Sequence, residues 1–121
     1  MRRPNMTLLR NLTLHQQKDE ELRIAREAGF ALTSEPQGFE VAPGQRGLEE
    51  AAGRLAAILG EYGALGECVL LGGHTGLWVA AVTRLVRSGA AIPPLYCFDT
   101  PREHDASGHF EFVPEGLVRV C

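Results

Sequence analysis

Apolar residues along this chain recur with two periods that alternate. Met6-Thr7-Leu8-Leu9-Arg10 is short, β-rich and mostly apolar, and predicts a strand ending at Asn11. Residues 14–28 follow with helix formers, with Asp19, Glu20 and Glu21 early and Arg23 and Arg26 late, an order that suits the helix dipole. Thr13 is the expected cap of that helix and Gly29 its expected stop. Phe30-Ala31-Leu32-Thr33 predicts a second strand, and Phe39-Glu40-Val41 a short strand or an extended loop.

After a break at Pro43-Gly44-Gln45, the residues Leu48, Ala51, Ala52, Leu55, Ile58, Leu59 and Tyr62 recur at helical spacing. Gly60, Gly63 and Gly66 are expected to end this helix. Cys68-Val69-Leu70-Leu71 is a continuous apolar run, which suits a strand buried on both faces. Gly72-Gly73-His74-Thr75-Gly76 follows at once, and Leu77, Trp78, Ala81, Val82, Leu85 and Val86 form a second helical stripe closed by Gly89. Ile92 to Phe98 predicts a fourth strand with Pro93 and Pro94 at its entry. Asp99 to Gly108 reads as a polar loop. Phe110 to Val113 and Leu117 to Val120 read as strands that form an antiparallel tail.

Strands and helices therefore alternate. That order predicts an α/β fold with a mostly parallel sheet of four to six strands, helices on both faces and a β C-terminal end. A Rossmann-like three-layer domain spanning residues 1–121 is the expectation.

Composition narrows the function classes. The chain has 121 residues, 12 Lys+Arg against 15 Asp+Glu and a net charge of −3. Such a balance argues against a binder of long nucleic acid, while leaving room for a small anion held in one local pocket. No apolar run is long enough to span a membrane, and the Met1-Arg2-Arg3-Pro4 start lacks a signal-peptide core, so a cytoplasmic location is expected. Cys68, Cys97 and Cys121 form neither a disulfide framework nor a zinc motif, and Cys68 and Cys97 read as buried inert thiols. No metal and no cofactor is expected, since the four histidines are scattered and no carboxylate pair has ligand spacing.

In an open α/β sheet, ligands bind at the carboxyl ends of the strands. Three polar segments should meet there: Asn11 to His15, Gly72 to Gly76, and Asp99 to His104. In the glycine turn, Gly72, Gly73 and Gly76 allow close backbone approach, and the helix starting near Thr75 offers unpaired N–H groups to an anion. The plainer reading of this turn is a strand-to-helix connection without a ligand, with His74 merely exposed. Arg102, in Thr100-Pro101-Arg102, suits a phosphate contact or a solvated loop. Asn11 suits reading a base or ribose, or capping a helix. His15 is expected in the first turn of the first helix, facing either the strand ends or solvent. His104-Asp105 is an acid–base pair on one reading and a solvated loop on the other, and Tyr62 and Trp78 read as core.

Taken together, Asn11 with Leu12-Thr13-Leu14-His15-Gln16, the Glu67 to Gly76 segment, Ile92-Pro93-Pro94-Leu95-Tyr96, Thr100-Pro101-Arg102 and Gly108-His109-Phe110-Glu111-Phe112 resemble a known family. It comprises the small stand-alone Csx-type accessory proteins of type III CRISPR systems, relatives of the CRISPR-associated Rossmann fold (CARF) domains. The resemblance implies a homodimer that binds cyclic oligoadenylate, cyclic tetra-adenylate above all, across its two-fold axis. It further implies a ring nuclease that cuts this messenger without metal, by attack of the ligand's own 2′-hydroxyl. Arg102, His74 and His15 would then be catalytic, and Asn11, Gly72, Gly73, Thr75, Gly76 and Thr100 would bind the ring. The competing expectations are a sensor or sponge that binds without cutting, and an unrelated Rossmann-like domain for a nucleotide or sugar phosphate.

Overall fold

The computed structural model describes residues 6–33, 37–99, 102–104, 110–112 and 116–121. In chain order the elements are β1 (Thr7–Asn11), α1 (Asp19–Glu27), β2 (Phe30–Leu32), α2 (Gly44–Leu65), β3 (Cys68–Leu70), α3 (Thr75–Ser88), β4 (Leu95–Asp99), β5 (Arg102–His104), β6 (Phe110–Phe112) and β7 (Gly116–Arg119). The fold is α/β. Five strands form one mostly parallel, curled sheet in the order β2-β1-β3-β4-β7. The first three neighbour pairs are parallel, with Leu9 opposite Cys68 and Leu70 opposite Tyr96. β7 closes the edge antiparallel to β4.

Two apolar clusters show why the strands read as near-continuous hydrophobic runs. On one face, Leu9, Cys68 and Leu70 pack with Ala25 of α1. On the other, Val69 and Leu95 pack with Leu55 and Leu59 of α2 and with Leu77, Trp78 and Leu85 of α3. Leu9, Leu55 and Leu59 are 0% exposed. Complete burial of a leucine contributes about 1.5–3 kcal/mol, so these few residues fix which face of each helix turns inward.

Several boundaries differ from expectation, each for a local reason. α1 starts at Asp19, not near residue 14, and Thr13 does not cap it. The side chains of Asn11 and Thr13 bond the backbone of residues 13–15 instead, and such local bonds compete with helix formation. Glu21 accepts from the Lys18 backbone N–H at 3.0 Å, which closes the real N-terminus. α2 begins right after Pro43 and runs through Gly60 and Gly63. A Cβ at Gly63 would sit 2.5 Å from the Ala91 carbonyl oxygen, so glycine there permits close packing and does not break the helix. The helix ends at Gly66, in the left-handed conformation at φ 72°.

β4 begins only at Leu95, leaving Pro93 and Pro94 before the strand. The expected polar loop contains β5, and β5 pairs antiparallel with β6 in a separate two-stranded sheet. The last two predicted strands therefore do not pair with each other; β6 takes β5, and β7 takes β4. Among the described residues, no helix is long and apolar enough to cross a membrane.

Candidate functional site

In the strand order β2-β1-β3-β4, the chain leaves β1 toward the α1 face and leaves β3 toward the α3 face. The two connections part at the carboxyl ends of β1 and β3, which makes a crevice there. A cavity of about 710 Å³ occupies this place. Residues 13–18 form one wall, and Leu71, Gly72, Cys97 and Phe98 form the other.

The first wall is tied to itself. Asn11 is 0% exposed. Its Oδ1 accepts from the Thr13 N–H at 3.0 Å and from the Thr13 hydroxyl at 2.6 Å. Its Nδ2 donates to the His15 carbonyl at 3.1 Å. The Thr13 oxygen in turn accepts from the His15 N–H at 3.1 Å and from Gln17 Nε2 at 3.1 Å. Outward, the Asn11 N–H donates to Thr33 Oγ1 at 2.8 Å and its carbonyl accepts from the Gln37 N–H at 2.9 Å. Every polar group of Asn11 is thus committed within the protein. Asn11 shapes the wall and does not itself face the cavity.

The second wall is different. The Gly72 carbonyl accepts the indole N–H of Trp78 at 3.0 Å, so the buried Trp78 pins this turn as well as filling the core. Gly73 has φ 93°, a conformation that favours glycine. A Cβ at Gly72 would lie 3.0 Å from the Thr13 methyl group, so the two walls touch through glycine. His74 is exposed and is the N-cap of α3, its Nδ1 accepting from the Leu77 N–H at 3.0 Å. The N–H groups of Gly73, Thr75 and Gly76 have no hydrogen-bond partner among the described residues. No acidic side chain occupies the first turn of α3, in contrast to Asp19, Glu20 and Glu21 on α1.

Of the residues singled out from the sequence, His15 and Gly72 share the cavity lining. His15 stands in the loop before α1, exposed, and not in a helical turn. Gly73, His74, Thr75 and Gly76 continue from Gly72 into α3 but do not line the cavity. Thr100, Asp105 and His109 lie outside the described residues. Arg102 and His104 are placed by the backbone of β5, their side chains outside what is described.

Eight lining residues lie outside the three segments expected to meet there: Gln16, Gln17, Lys18, Glu21, Leu70, Leu71, Cys97 and Phe98. Lys18 carried a signal, being the only lysine among 12 basic residues. Cys97 is half-buried at the cavity and not sealed in the core. Cys68 is buried, which pushes its thiol pKa up. Among the described residues no group of three or more His, Cys, Asp or Glu is placed to hold a metal ion.

Below the site, Arg10 and Glu67 link β1 to the start of β3 through two bonds of 2.8 and 3.1 Å. Their hydrogen bonding lowers the Glu67 pKa and raises that of Arg10. The Arg10 guanidinium also lies over the Tyr62 ring at 5.1 Å.

No protein-family model matches the chain, and searches of curated proteins and of solved structures found no match either.

Proposed function

We propose that this chain is a CARF-like Rossmann domain that binds cyclic oligoadenylate, with cyclic tetra-adenylate as the leading candidate. The observation that carries the binding site is the cavity at the parting of β1 and β3, whose lining combines the apolar Leu71 and Phe98 with Lys18 and one acidic residue, Glu21. Phe98 and Leu71 suit the flat face of a base, and Lys18 suits a phosphate. The unpartnered N–H groups at the start of α3 follow the lining residue Gly72 directly in the chain, outside the lining itself, and favour an anion. The ligand class rests on the motif resemblance, which also implies a homodimer with the ring on its two-fold axis.

A second reading, cleavage of the ring, is favoured by His15, whose exposed imidazole stands in the cavity wall. The ligand's 2′-hydroxyl would attack the adjacent phosphorus as His15 takes its proton. The bond to the 5′-oxygen breaks, that oxygen leaves with a proton, and a 2′,3′-cyclic phosphate remains. Lys18, which shares the cavity lining with His15, would stabilise the charge on the phosphate oxygens. His74 fits this chemistry less well, since its Nδ1 is committed to the helix cap.

A thermal-shift series with cyclic tetra-adenylate, ATP, AMP and inorganic phosphate tests the proposal, with the products analysed in EDTA. Saturation at a hundredfold Kd should stabilise the fold by about 2.7 kcal/mol, and Lys18→Ala should lose most of that shift. Intact ligand recovered after long incubation selects binding alone; linear product that disappears in His15→Ala selects the ring nuclease. Stabilisation by ordinary nucleotides only, or by nothing, overturns the cyclic ligand.

A further inference from the structure

The chain between β4 and β7 comes back to the place it left. Asp99, the last residue of β4, stands opposite Gly116, the first of β7. Cys97 and Phe98, directly before Asp99, line the cavity. The two-stranded ribbon β5–β6 therefore has both of its roots at the cavity's edge.

The register of the ribbon sorts its six residues by face. Arg102 stands opposite Phe112, His104 opposite Phe110, and Glu103 opposite Glu111. Directly opposed residues share a face, and neighbours along a strand alternate between faces. One face therefore holds Arg102, His104, Phe110 and Phe112, and the other holds Glu103 and Glu111.

Neither face has the composition of a core face. On the α1 side of the main sheet, the opposed pairs are apolar or aromatic: Leu9 with Cys68, Leu70 with Tyr96, Phe98 with Leu117. In the ribbon, each phenylalanine is opposed by a residue that carries or can take a positive charge, and arginine is seldom buried without a partner. The far face sets two carboxylates against each other, which lowers stability. The ribbon thus gathers its aromatic rings and cations on one side and its negative charge on the other. Rings and cations together suit a base and its phosphate, through stacking and charge-assisted hydrogen bonds. Phe110 and Phe112 lie about 7 Å apart along their strand, so the face offers a platform to more than one base.

We propose that the Arg102-His104-Phe110-Phe112 face is a second part of the binding site, which holds bases and phosphates of an oligoadenylate beyond the nucleotide that the cavity takes. This rests on the oligoadenylate reading of the cavity and deepens it. A mononucleotide engages the cavity alone, whereas a tetra-adenylate engages the ribbon as well. Glu103 and Glu111 repel phosphate, which leaves the ligand one side of the ribbon to use.

Isothermal titration of the full chain with AMP, linear tetra-adenylate and cyclic tetra-adenylate tests this. Phe110→Leu and Phe112→Leu should each weaken the tetra-adenylates by about fivefold to a hundredfold and leave AMP within about twofold. Phe110→Tyr and Phe112→Tyr should keep wild-type affinity, because stacking needs a ring, whereas a packed apolar site accepts leucine more readily than a hydroxyl. Arg102→Gln should weaken the tetra-adenylates and spare AMP. Glu103→Gln with Glu111→Gln, on the other face, should leave every affinity unchanged or raise that of the tetra-adenylates. The inference is overturned, and the cavity reading kept, by any of three results with cyclic tetra-adenylate bound. Leucine serves as well as phenylalanine, tyrosine fails as leucine does, or the glutamine variants weaken binding as the leucine variants do. If only the linear ligand binds and needs these rings, the cyclic reading falls and the ribbon stands. Binding of AMP alone, or of none of the three, overturns both.

Discussion

The two connections that flank the cavity are built on opposite plans. Residues 12–18 after β1 are rich in polar side chains, and those of Thr13 and Gln17, with that of Asn11 before them, are turned on the loop itself. Residues 72–76 after β3 contain few polar side chains and leave backbone N–H groups without partners. The contrast teaches that polar residues at a strand end do not by themselves mark the ligand. A self-satisfied loop supplies shape, and an unsatisfied turn supplies binding capacity. The closed loop contributes to the site through the side chains it projects outward, His15, Gln16 and Lys18, and not through Asn11.

The sharpest way to break this comparison is to open the closed loop. Asn11→Ala removes three hydrogen bonds and leaves the buried Thr13 N–H without a partner, while the His15 carbonyl still accepts from the Thr13 hydroxyl. Unmade bonds of this kind cost about 1–3 kcal/mol each when buried, and the His15 carbonyl keeps its bond from Gln17. The expected loss is about 2–4 kcal/mol of stability, read as a lower urea midpoint. Ligand affinity measured well below that midpoint should fall as well, because the loop that carries His15 loses the bonds that hold its shape. If stability holds and only affinity falls, Asn11 contacts the ligand and the contrast between the loops is wrong.

Much of this fold is legible in the sequence, and the reason is physical. The apolar run 68–71 has no polar face to offer water, and α3 turns Leu77, Trp78, Ala81 and Leu85 inward although Val79 and Val86 stay exposed. Burial alone fixes such segments. The start of α1 was not legible, because it depends on whether Asn11 and Thr13 bond their own loop or cap a helix, and both outcomes use the same residue types. The glycines of α2 misled for a related reason. Gly63 looks like a stop until the Ala91 carbonyl is seen packed against it. The site was legible at Gly72 and His15, which adjoin strand ends. Phe98 and Cys97 were hidden inside an apolar run, where only the sheet's curl and register decide that they face a cavity.

An intermediate effect comes from the open turn. Gly73→Ala meets no steric obstacle, since the nearest group to the new Cβ is the Leu14 Cδ1 at 3.8 Å. Its cost is the positive φ, about 1–2 kcal/mol for a residue with a side chain. The turn should relax toward negative φ and redirect its N–H groups. Stability should therefore fall less than in Asn11→Ala, while affinity falls at least as much. An equal loss of stability in the two variants would show that the turn is as tightly built as the loop.

The smallest effect has opposite signs in the two readouts. His74 caps α3 through a neutral ring nitrogen, and Asp is among the stronger N-cap residues. His74→Asp keeps an acceptor for the Leu77 N–H and adds a negative charge to the positive end of the helix. That should raise stability by about 0.3–1 kcal/mol, seen as a small upward shift of the urea midpoint in low salt. The same carboxylate repels an incoming phosphate, so affinity for an anionic ligand should fall, and added salt should narrow the gap between variant and wild type. A cap that serves only to end a helix predicts the gain in stability and no change in binding. The loss of affinity separates the two, because it requires that the ligand's charge come to the N-terminus of α3.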